Sequence, residues 1–279
     1  MRVRATRLLS ISQGGGELWT PASLRPTLWL DAADASTITL NGSTVSQWSD
    51  KSGNGFHVTQ ATASAQPTYQ ATGFNSQPTV YFDASDDEMG CDQTSVSSQG
   101  DLFYAAVFQM LSDTAQWRMI VGTNTSSPLG SGGTLLMQRM STRSEIGIHN
   151  SGVADTGSTY AVQVTDLFVP RIATVGRNGG VNGSGGTITV TATGPSQPSY
   201  LTQAVQNWTT VEATSRIQIG GRQQSVTSWS NSLISEVVVM NRNATTLERQ
   251  KLEGYLAHKW GLEASLPADH PYRNTAPTV

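Results

Sequence analysis

The chain is poor in charge and has almost no cysteine. Only 13% of its 279 residues are charged, against roughly 25% in an average globular domain. The single cysteine, Cys91, excludes an internal disulfide framework, and we expect it to be buried and inert because no neighbouring base would lower its pKa. A net charge of −3 gives no electrostatic basis for binding nucleic acid or an anionic membrane.

Long apolar runs and an export signal are also missing. No stretch approaches the ~18 apolar residues of a membrane-spanning helix, so no membrane span is predicted. The N-terminal stretch is basic, but its apolar core of about three residues is too short for a signal peptide. We therefore expect residues 1–18 to be a flexible arm and residues 19–279 to form one domain.

Motifs for the common catalytic chemistries are absent as well. The four histidines lie far from one another and lack the close neighbours of a zinc site. There is no G-x-S-x-G nucleophile elbow and no phosphate-binding glycine loop. No pair of carboxylates is placed at a fixed distance across a cleft, as glycoside hydrolysis requires. These absences predict a protein that is not an enzyme.

Short strands are abundant. Residues 102–110, LFYAAVFQM, form a near-continuous apolar run that is typical of a strand covered on both faces. Asn41 and Gly42 are the preferred pair for a two-residue hairpin turn, and a glycine-rich tract around residues 176–186 predicts a longer hairpin tip. About a dozen such strands indicate an all-β fold, an antiparallel β-sandwich.

One amphipathic helix is predicted at residues 245–260. Thr245 and Glu248 have the spacing of a capping box. Leu252, Leu256 and Trp260 recur at helical spacing, with Tyr255 on the same stripe. Gly261 follows at the position where a left-handed residue ends a helix. The helix is therefore expected to begin near Thr245, to end at Trp260 and to pack on the sandwich.

Four segments resemble a known family. They are residues 19–34 (WTPASLRPTLWLDAAD), 45–60 (VSQWSDKSGNGFHVTQ), 77–87 (QPTVYFDASDD) and the C-terminal 234–272. In these segments the chain resembles concanavalin A-like, LamG-type jelly-roll domains, and the resemblance covers nearly all of it after residue 18. Members are sugar- or protein-binding modules, and in bacteriophages they occur in tail, fibre and capsid-surface proteins.

The resemblance implies a non-enzymatic bacteriophage virion surface protein, either a capsid decoration protein or head fibre, or a tail component. Its expected location is the virion surface, with other virion proteins as partners and host surface polysaccharide as a candidate ligand. A homo-oligomer, with a trimer as the specific guess, fits such proteins. The alternative is a bacterial carbohydrate-binding or adhesion module, and a glycoside hydrolase or lyase on the same fold is a third.

Three tryptophans are the candidate ligand-binding residues, because they sit in polar, loop-like contexts: Trp117, Trp208 and Trp229. Sugar rings stack on exposed aromatic faces, so loop tryptophans would suit a sugar site. The competing interpretation is that each belongs to the core or an interface. By contrast, Trp29, Trp48 and Trp260 lie within apolar patterns and are predicted to be core residues.

Two acidic loops are candidate metal sites. Asp50 and Asn54, in the sequence DKSGNG, could hold Ca²⁺, which prefers six to eight oxygen ligands. The alternative is a tight turn in which both side chains bind the local backbone. The second loop, Asp83–Glu88, is predicted to be a solvated acidic loop, with a metal site or an acid–base pair as the alternative.

Overall fold

A computed structural model describes most of the chain. The described residues are 16–92, 101–112, 114–125, 134–140, 144–150, 159–164, 166, 168–179, 186–194, 199–205, 215–221 and 229–279. The predicted arm, residues 1–18, lies mostly outside them, so its flexibility and the boundary at residue 19 stay predictions. Residues 17 and 18 do contact the other end of the chain: Glu17 and Leu18 pair with Val279 and Thr278.

The described part of the chain is mainly β-structure with one α-helix. The strands are β1 Leu28–Asp31, β2 Ile38–Asn41, β3 Thr44–Trp48, β4 Val58–Thr59, β5 Thr68–Gln70, β6 Thr79–Asp83, β7 Met89–Asp92, β8 Leu102–Met110, β9 Thr114–Thr125, β10 Thr134–Met140, β11 Ser144–Asn150, β12 Thr159–Val164, β13 Arg171–Gly179, β14 Gly186–Ala192, β15 Ser199–Val205, β16 Ser215–Ile219 and β17 Asn231–Met240. The helix, α1, spans Thr246–Trp260.

All strand pairings are antiparallel, and they form two runs. In the first run, one edge of β17 pairs with β8, and its other edge pairs with β1 and β6. The far side of β8 pairs with β13, which is followed in the sheet by β14 and then β15. The second run is β2–β3–β4–β7–β16–β9–β10–β11–β12. Strand β5 pairs with β6 at the edge of the first run, and its Thr68 also pairs with Thr44 on β3, which joins the two runs. The predicted antiparallel, jelly-roll-like β-sandwich with one helix is confirmed.

The main core lies between the two runs of strands. Phe82, Tyr104 and Val237 from the first run share a buried cluster with Ile120 and Ile217 from the second. Cys91 and Trp48 belong to this cluster, as predicted from the sequence. Burial of this apolar surface is the main favourable term for the fold, about 25 cal/mol for each Å² removed from water.

Helix α1 covers the outer face of the first run. Phe103, Ala105 and Val107 on β8 pack with Leu252 and Leu256 on the helix in a second buried cluster. The side chains on the other face of β8 belong to the main core: Leu102, Tyr104, Ala106, Phe108 and Met110. Strand β8 is therefore buried on both faces, which explains why residues 102–110 are apolar except for Gln109.

The ends of the helix match the sequence prediction. Thr245 is the N-cap, and its side chain and that of Glu248 form the reciprocal capping box. Gly261 has a φ of 68° and caps the C-terminus. Residues 262–279 then pack along the helix, where Tyr272 lies against Gly254. In the described part of the chain, no helix is long and apolar enough to cross a membrane.

A buried carboxylate on the helix ties it to the sheet and to the tail. Glu253, 1% exposed, accepts hydrogen bonds from Thr191 on β14 and from Arg249 on the helix itself. His270 in the tail lies 3.3 Å from the same carboxylate. Since buried charges need partners, these contacts fix how the helix sits on the sheet.

Candidate functional site

A buried ion cluster joins the helix to the sheet. Glu236 on β17 is fully buried and accepts hydrogen bonds of 2.7 Å from the indole N–H groups of Trp29 and Trp260. Lys259 donates to the same carboxylate at 2.7 Å. Burial raises the pKa of Glu236, while the Lys259 ammonium acts against this shift. Three donors converge on this one carboxylate, an arrangement that stabilises its anionic form.

A bulge in β17 puts Glu236 on the helix side of the sheet. In the pairing of β17 with β8, the register shifts between Ile234 and Glu236 and passes over Ser235. Side chains alternate between faces along a strand, so Ile234 and Glu236 would otherwise face the same core. The extra residue moves Glu236 to the outer face, a function that bulges often have near sites.

The cluster extends to the surface through Asp31 on β1. Lys259 lies 2.7 Å from Asp31 Oδ1, and Lys51 lies 2.8 Å from Asp31 Oδ2 and 2.9 Å from Asp34. Burial works to lower the pKa of Lys51, but Asp31 and Asp34 outweigh it and the pKa is raised. The carboxylates of Glu236 and Asp31 are both paired with lysines. The cluster is therefore suited to joining α1 to the sheet rather than to binding a substrate.

A pocket of about 490 Å³ opens beside this cluster at the C-terminal end of α1. Its size is within the roughly 300–1,000 Å³ of small-molecule sites. The walls come from four separate parts of the chain: residues 18–20, Asn75 with Gln77, the end of the helix, and residues 276–277. The helix contributes Tyr255, His258 and Lys259, and Glu263 follows it.

Aromatic and polar groups share the pocket wall. Trp19 and Tyr255 meet edge to face with ring centroids 6.1 Å apart. Burial, followed by the charges of Glu236 and Asp31, raises the pKa of Tyr255, so its hydroxyl stays protonated. Asn75 donates to the carbonyl oxygens of Trp260 and Gly261 and so fixes the rim against the helix end. Apolar rings beside a few oriented polar groups are typical of ligand sites.

Of the three candidate tryptophans, only Trp229 is described with its side chain, and it does not line this pocket. Trp117 lies on β9, but its side chain is outside the described residues, and Trp208 is outside them altogether. Trp229 is half-buried and lies against Gly221, where an added Cβ would be 2.3 Å from Trp229 Cδ1. Their role in binding sugar stays a prediction. Trp29, Trp48 and Trp260 are buried, as predicted.

The Asp50–Asn54 loop is held by hydrogen bonds within the protein. Asp50 Oδ1 accepts from the backbone N–H groups of Trp29 and Ser52, and Oδ2 accepts from Ser52 Oγ and the Phe56 N–H. Asn54 donates from its amide to the carbonyl oxygens of residues 26 and 27. This geometry favours the tight-turn alternative, because the carboxylate oxygens already have donors. Ca²⁺ at this loop stays a prediction.

A chelation experiment separates the two interpretations of this loop. If Asp50 and Asn54 bind Ca²⁺, a chelator lowers the melting temperature and added Ca²⁺ restores it. If the hydrogen bonds alone hold the loop, the melting temperature does not change, and this is the result we expect. Differential scanning calorimetry with and without chelator makes the measurement, and an unchanged transition removes Ca²⁺ from this loop.

The second acidic loop is only partly solvated. Asp83 and Asp86 reach the surface, but Asp87 and Glu88 are 5% and 4% exposed, which corrects the prediction for those two residues. Both residues lie just before β7, where the Glu88 carboxylate accepts a hydrogen bond from the buried Gln218 side chain on β16. The carboxylates of Asp83, Asp86 and Asp87 lie within 4.8 Å of one another. Asp87 also accepts a hydrogen bond from the Asp83 N–H, so backbone contacts organise the loop.

Replacing Asp87 with asparagine is expected to flatten the dependence of stability on pH. Burial, with the charge of Asp83, raises the pKa of Asp87 from 3.8 to about 7. The folded state therefore holds a proton that the unfolded state has lost, and stability falls as pH rises from about 4 to 7. Asparagine avoids this cost above pH 7. Because Asp83 and Asp86 open one side of the loop to solvent, which reduces the effect, we expect a gain of about 1 kcal/mol, or about 2–4 °C, at pH 8.

Thermal melts between pH 5 and pH 8 measure this effect. The matched control is Asp269→Asn, at an exposed carboxylate in the tail, which should leave the pH profile unchanged. If Asp87→Asn has the same pH profile as the parent protein, the Asp87 carboxyl does not carry the shifted titration.

Comparisons with known proteins support the fold but do not give a family. A scan against models of known protein families gave no match, and neither did a search of curated proteins. Solved structures do match. A GH54 α-L-arabinofuranosidase shares 12% identity with a TM-score of 0.54, covering 80% of this chain and 51% of its own. A sialidase from Trypanosoma rangeli shares 14% identity with a TM-score of 0.53, covering 92% of this chain and 36% of its own.

A third match is the receptor-binding domain of a botulinum neurotoxin, mosaic serotype C/D, with 9% identity, a TM-score of 0.52, and coverage of 80% of this chain and 49% of that one. The chain therefore spans about a third to a half of the structures that it matches. At these identities the likeness establishes a shared β-sandwich fold.

The expectation of a non-enzymatic bacteriophage virion surface protein is wrong by these comparisons. The matched structures include glycoside hydrolases, a sialidase and an arabinofuranosidase, and nothing in them points to a phage. The prediction that the protein is not an enzyme is contradicted for the same reason. The virion location, virion partners and trimer were tied to that function, are not tested by the structure, and stay predictions.

The residues of the pocket were not candidates from the sequence. Tyr255 is on the predicted apolar stripe of the helix, and Trp19 opens the first segment of family resemblance, but neither position marks a site. Gln77 opens the third segment of family resemblance and Glu263 begins a short 3₁₀ helix, but nothing in the sequence marks either as a binding residue. Only the fold, which places residues 18 and 277 beside the end of α1, brings these groups together.

Proposed function

We propose that this chain is a carbohydrate-binding β-sandwich, and that sugar binds in the pocket at the end of α1. The observation that carries the proposal is the pocket itself, where the Trp19 and Tyr255 rings lie beside the polar groups of Gln77, His258 and Glu263. A sugar ring has apolar C–H faces and a rim of hydroxyls. It can therefore pack on the partly exposed Tyr255 ring, which Trp19 supports from the core, while its hydroxyls bond to polar side chains.

The pocket is also preorganised. Its floor is the end of α1, and Lys259 in that floor is bound to carboxylates on β1 and β17. Asn75 bonds to the last carbonyl oxygens of the helix. A site whose walls are already fixed loses little conformational entropy on binding, which favours affinity for small ligands.

The shared fold gives independent support. The matched structures include a sialidase in complex with a difluoro-nononic acid and an arabinofuranosidase soaked with an arabinofuranoside. These are sugar-binding proteins, although the match covers only part of each. The finer assignment to LamG-type jelly rolls is part of this proposal and is supported by the quoted segments, since Asp31, Lys51 and Lys259 from three of its motifs meet in one ion cluster.

Calorimetric titration with a panel of neutral, amino and acidic oligosaccharides tests the proposal. We expect saturable binding of at least one sugar, and Gln77→Ala should weaken it about three- to tenfold, as for one lost hydrogen bond. Gln70→Ala is the matched control, because Gln70 is a half-buried glutamine on β5 outside the pocket. Assaying the same samples for reducing-sugar release shows whether binding is accompanied by hydrolysis.

Two results would count against this site. Absence of binding to every sugar in the panel would overturn the function. Binding that Gln77→Ala leaves intact would move the sugar to another surface, and Trp117, Trp208 and Trp229 would then be substituted in turn.

A further inference from the structure

We infer that the pocket at the end of α1 selects neutral sugars and amino sugars and rejects acidic ones. This inference rests on the proposed function and names the class of sugar. It follows from the charges around the pocket, which offer acceptors and negative potential but no cation for a ligand carboxylate.

The lysine in the pocket wall is fully occupied. An ammonium group has three N–H donors, and those of Lys259 have three acceptors: Asp31 at 2.7 Å, Glu236 at 2.7 Å and the Tyr255 hydroxyl at 3.2 Å. Binding a sugar carboxylate would require Lys259 to leave one of two buried carboxylates. Among the described residues that line the pocket there is no arginine, the side chain best suited to bidentate carboxylate binding.

The other ionisable groups of the wall do not supply a free cation. His258 has one ring nitrogen 2.9 Å from the Tyr272 carbonyl oxygen, and its other nitrogen lies 3.5 Å from the Glu263 carboxylate. Any positive charge on His258 would therefore face Glu263 first. Glu263 itself is 40% exposed and points an anionic acceptor towards the ligand space.

The end of the helix adds to the negative potential. The C-terminal carbonyl groups of α1 carry the negative end of the helix dipole, and they are in the pocket wall at Trp260 and Gly261. Behind them, Asp31 and Glu236 share Lys259. A ligand carboxylate placed here would be repelled by these negative charges. It would also lose its water without gaining a cationic partner.

An amino sugar is attracted by the same negative groups that repel a carboxylate. Its protonated amine can pair with Glu263, and its hydroxyls can use the same polar groups as those of a neutral sugar. The gain is modest because Glu263 is partly exposed to solvent, so we expect about a two- to fivefold preference for the amine.

Matched sugar series test the inference on the intact chain. Glucose, glucosamine and glucuronate differ at one substituent each, and the galactose and mannose series repeat the comparison. In the series whose neutral member binds, we expect the amino sugar to bind more tightly and the uronate at least about tenfold more weakly. N-acetylneuraminate is also expected not to bind. The preference for the amine should shrink as salt is raised.

Glu263→Gln identifies the source of the preference. In this variant the ratio of amino-sugar affinity to neutral-sugar affinity should fall to about one, because the amide carries no charge. Asp269→Asn, at an exposed carboxylate outside the pocket, should leave the ratio unchanged. If the affinity ratio falls to about one in both variants, the preference for the amine comes from the overall charge of the protein, and the role of Glu263 is overturned.

The outcomes separate the two proposals. If a uronate or N-acetylneuraminate binds as tightly as the neutral sugar, and Gln77→Ala weakens both, the inferred selectivity is wrong while sugar binding in this pocket stands. If no sugar of any class binds, the proposed function fails and the selectivity fails with it.

Discussion

Replacing Lys259 with methionine is expected to lower the free energy of unfolding by about 3–5 kcal/mol, which is the usual cost of removing one partner from a buried ion pair. Lys259 is the cation that Glu236 and Asp31 share, and Glu236 is fully buried. Without the Lys259 ammonium, the carboxylates of Asp31 and Glu236, on adjacent strands under the helix, are left with too little positive charge to balance them. Methionine keeps most of the side-chain volume, so the loss measures charge rather than packing.

Denaturant unfolding of a double-mutant cycle gives the interaction energy. The single variants are Lys259→Met and Glu236→Gln, and in the double variant both charges are gone, so the cost should be well below the sum of the two single costs. The matched control is Lys251→Met on the same helix, where the lysine is half-buried and bonds to Thr278 at 3.3 Å. It should cost about 0.5 kcal/mol or less. A cost below about 1 kcal/mol for Lys259→Met would contradict the buried-pair account.

Replacing Gly220 with alanine is expected to cost at least about 3 kcal/mol. Gly220, just after β16, has a φ of +78°, where residues with a Cβ are strained. The added Cβ would lie 2.0 Å from Cδ1 of the fully buried Phe82, so the ring must move within a packed core. Overpacking costs about 1–3 kcal/mol, and it adds to the backbone strain.

Gly42→Ala separates these two causes. Gly42, in the β2–β3 turn, has a φ of +66° and no atom within 4 Å of an added Cβ. It should therefore show the backbone strain alone, about 1 kcal/mol. The difference between the two variants in urea unfolding measures the crowding against Phe82. Equal costs would show that Phe82 moves aside freely, contrary to the packing described here.

The helix and the doubly covered strand could be predicted because their signals are local. Thr245, Glu248 and Gly261 mark the ends of α1 through contacts within a few residues, and the apolar run of β8 reports burial on both faces directly. Glu236 was harder to predict. Its outward direction could be anticipated from the neighbouring valines, but the helix that covers that face, and the ion cluster formed there, depend on contacts between residues far apart in the sequence.

The candidate sites show why residue type alone is a weak guide. Asp50 and Asn54 have the oxygens that Ca²⁺ would use, and the same atoms serve equally well to accept or orient backbone hydrogen bonds. Asp87 looks like its neighbours in the sequence, yet it is buried in the turn before β7, where it accepts a hydrogen bond from the Asp83 N–H. The functional expectation failed for a related reason: a family resemblance predicts a fold, and one fold hosts both hydrolases and binding modules.

The position of β17 in the sheet has a consequence for how the protein is made. This strand pairs with β1, β6 and β8, and Trp29 on β1 finds its partner at Val238. About 200 residues separate those partners, which a ribosome adding about 5–20 residues per second needs roughly 10–40 seconds to synthesise. Until then β1 and β6 emerge with open edges that β17 has yet to fill. The nascent chain must therefore wait for β17 before the first sheet can close, and during that interval the open strand edges can pair with other chains.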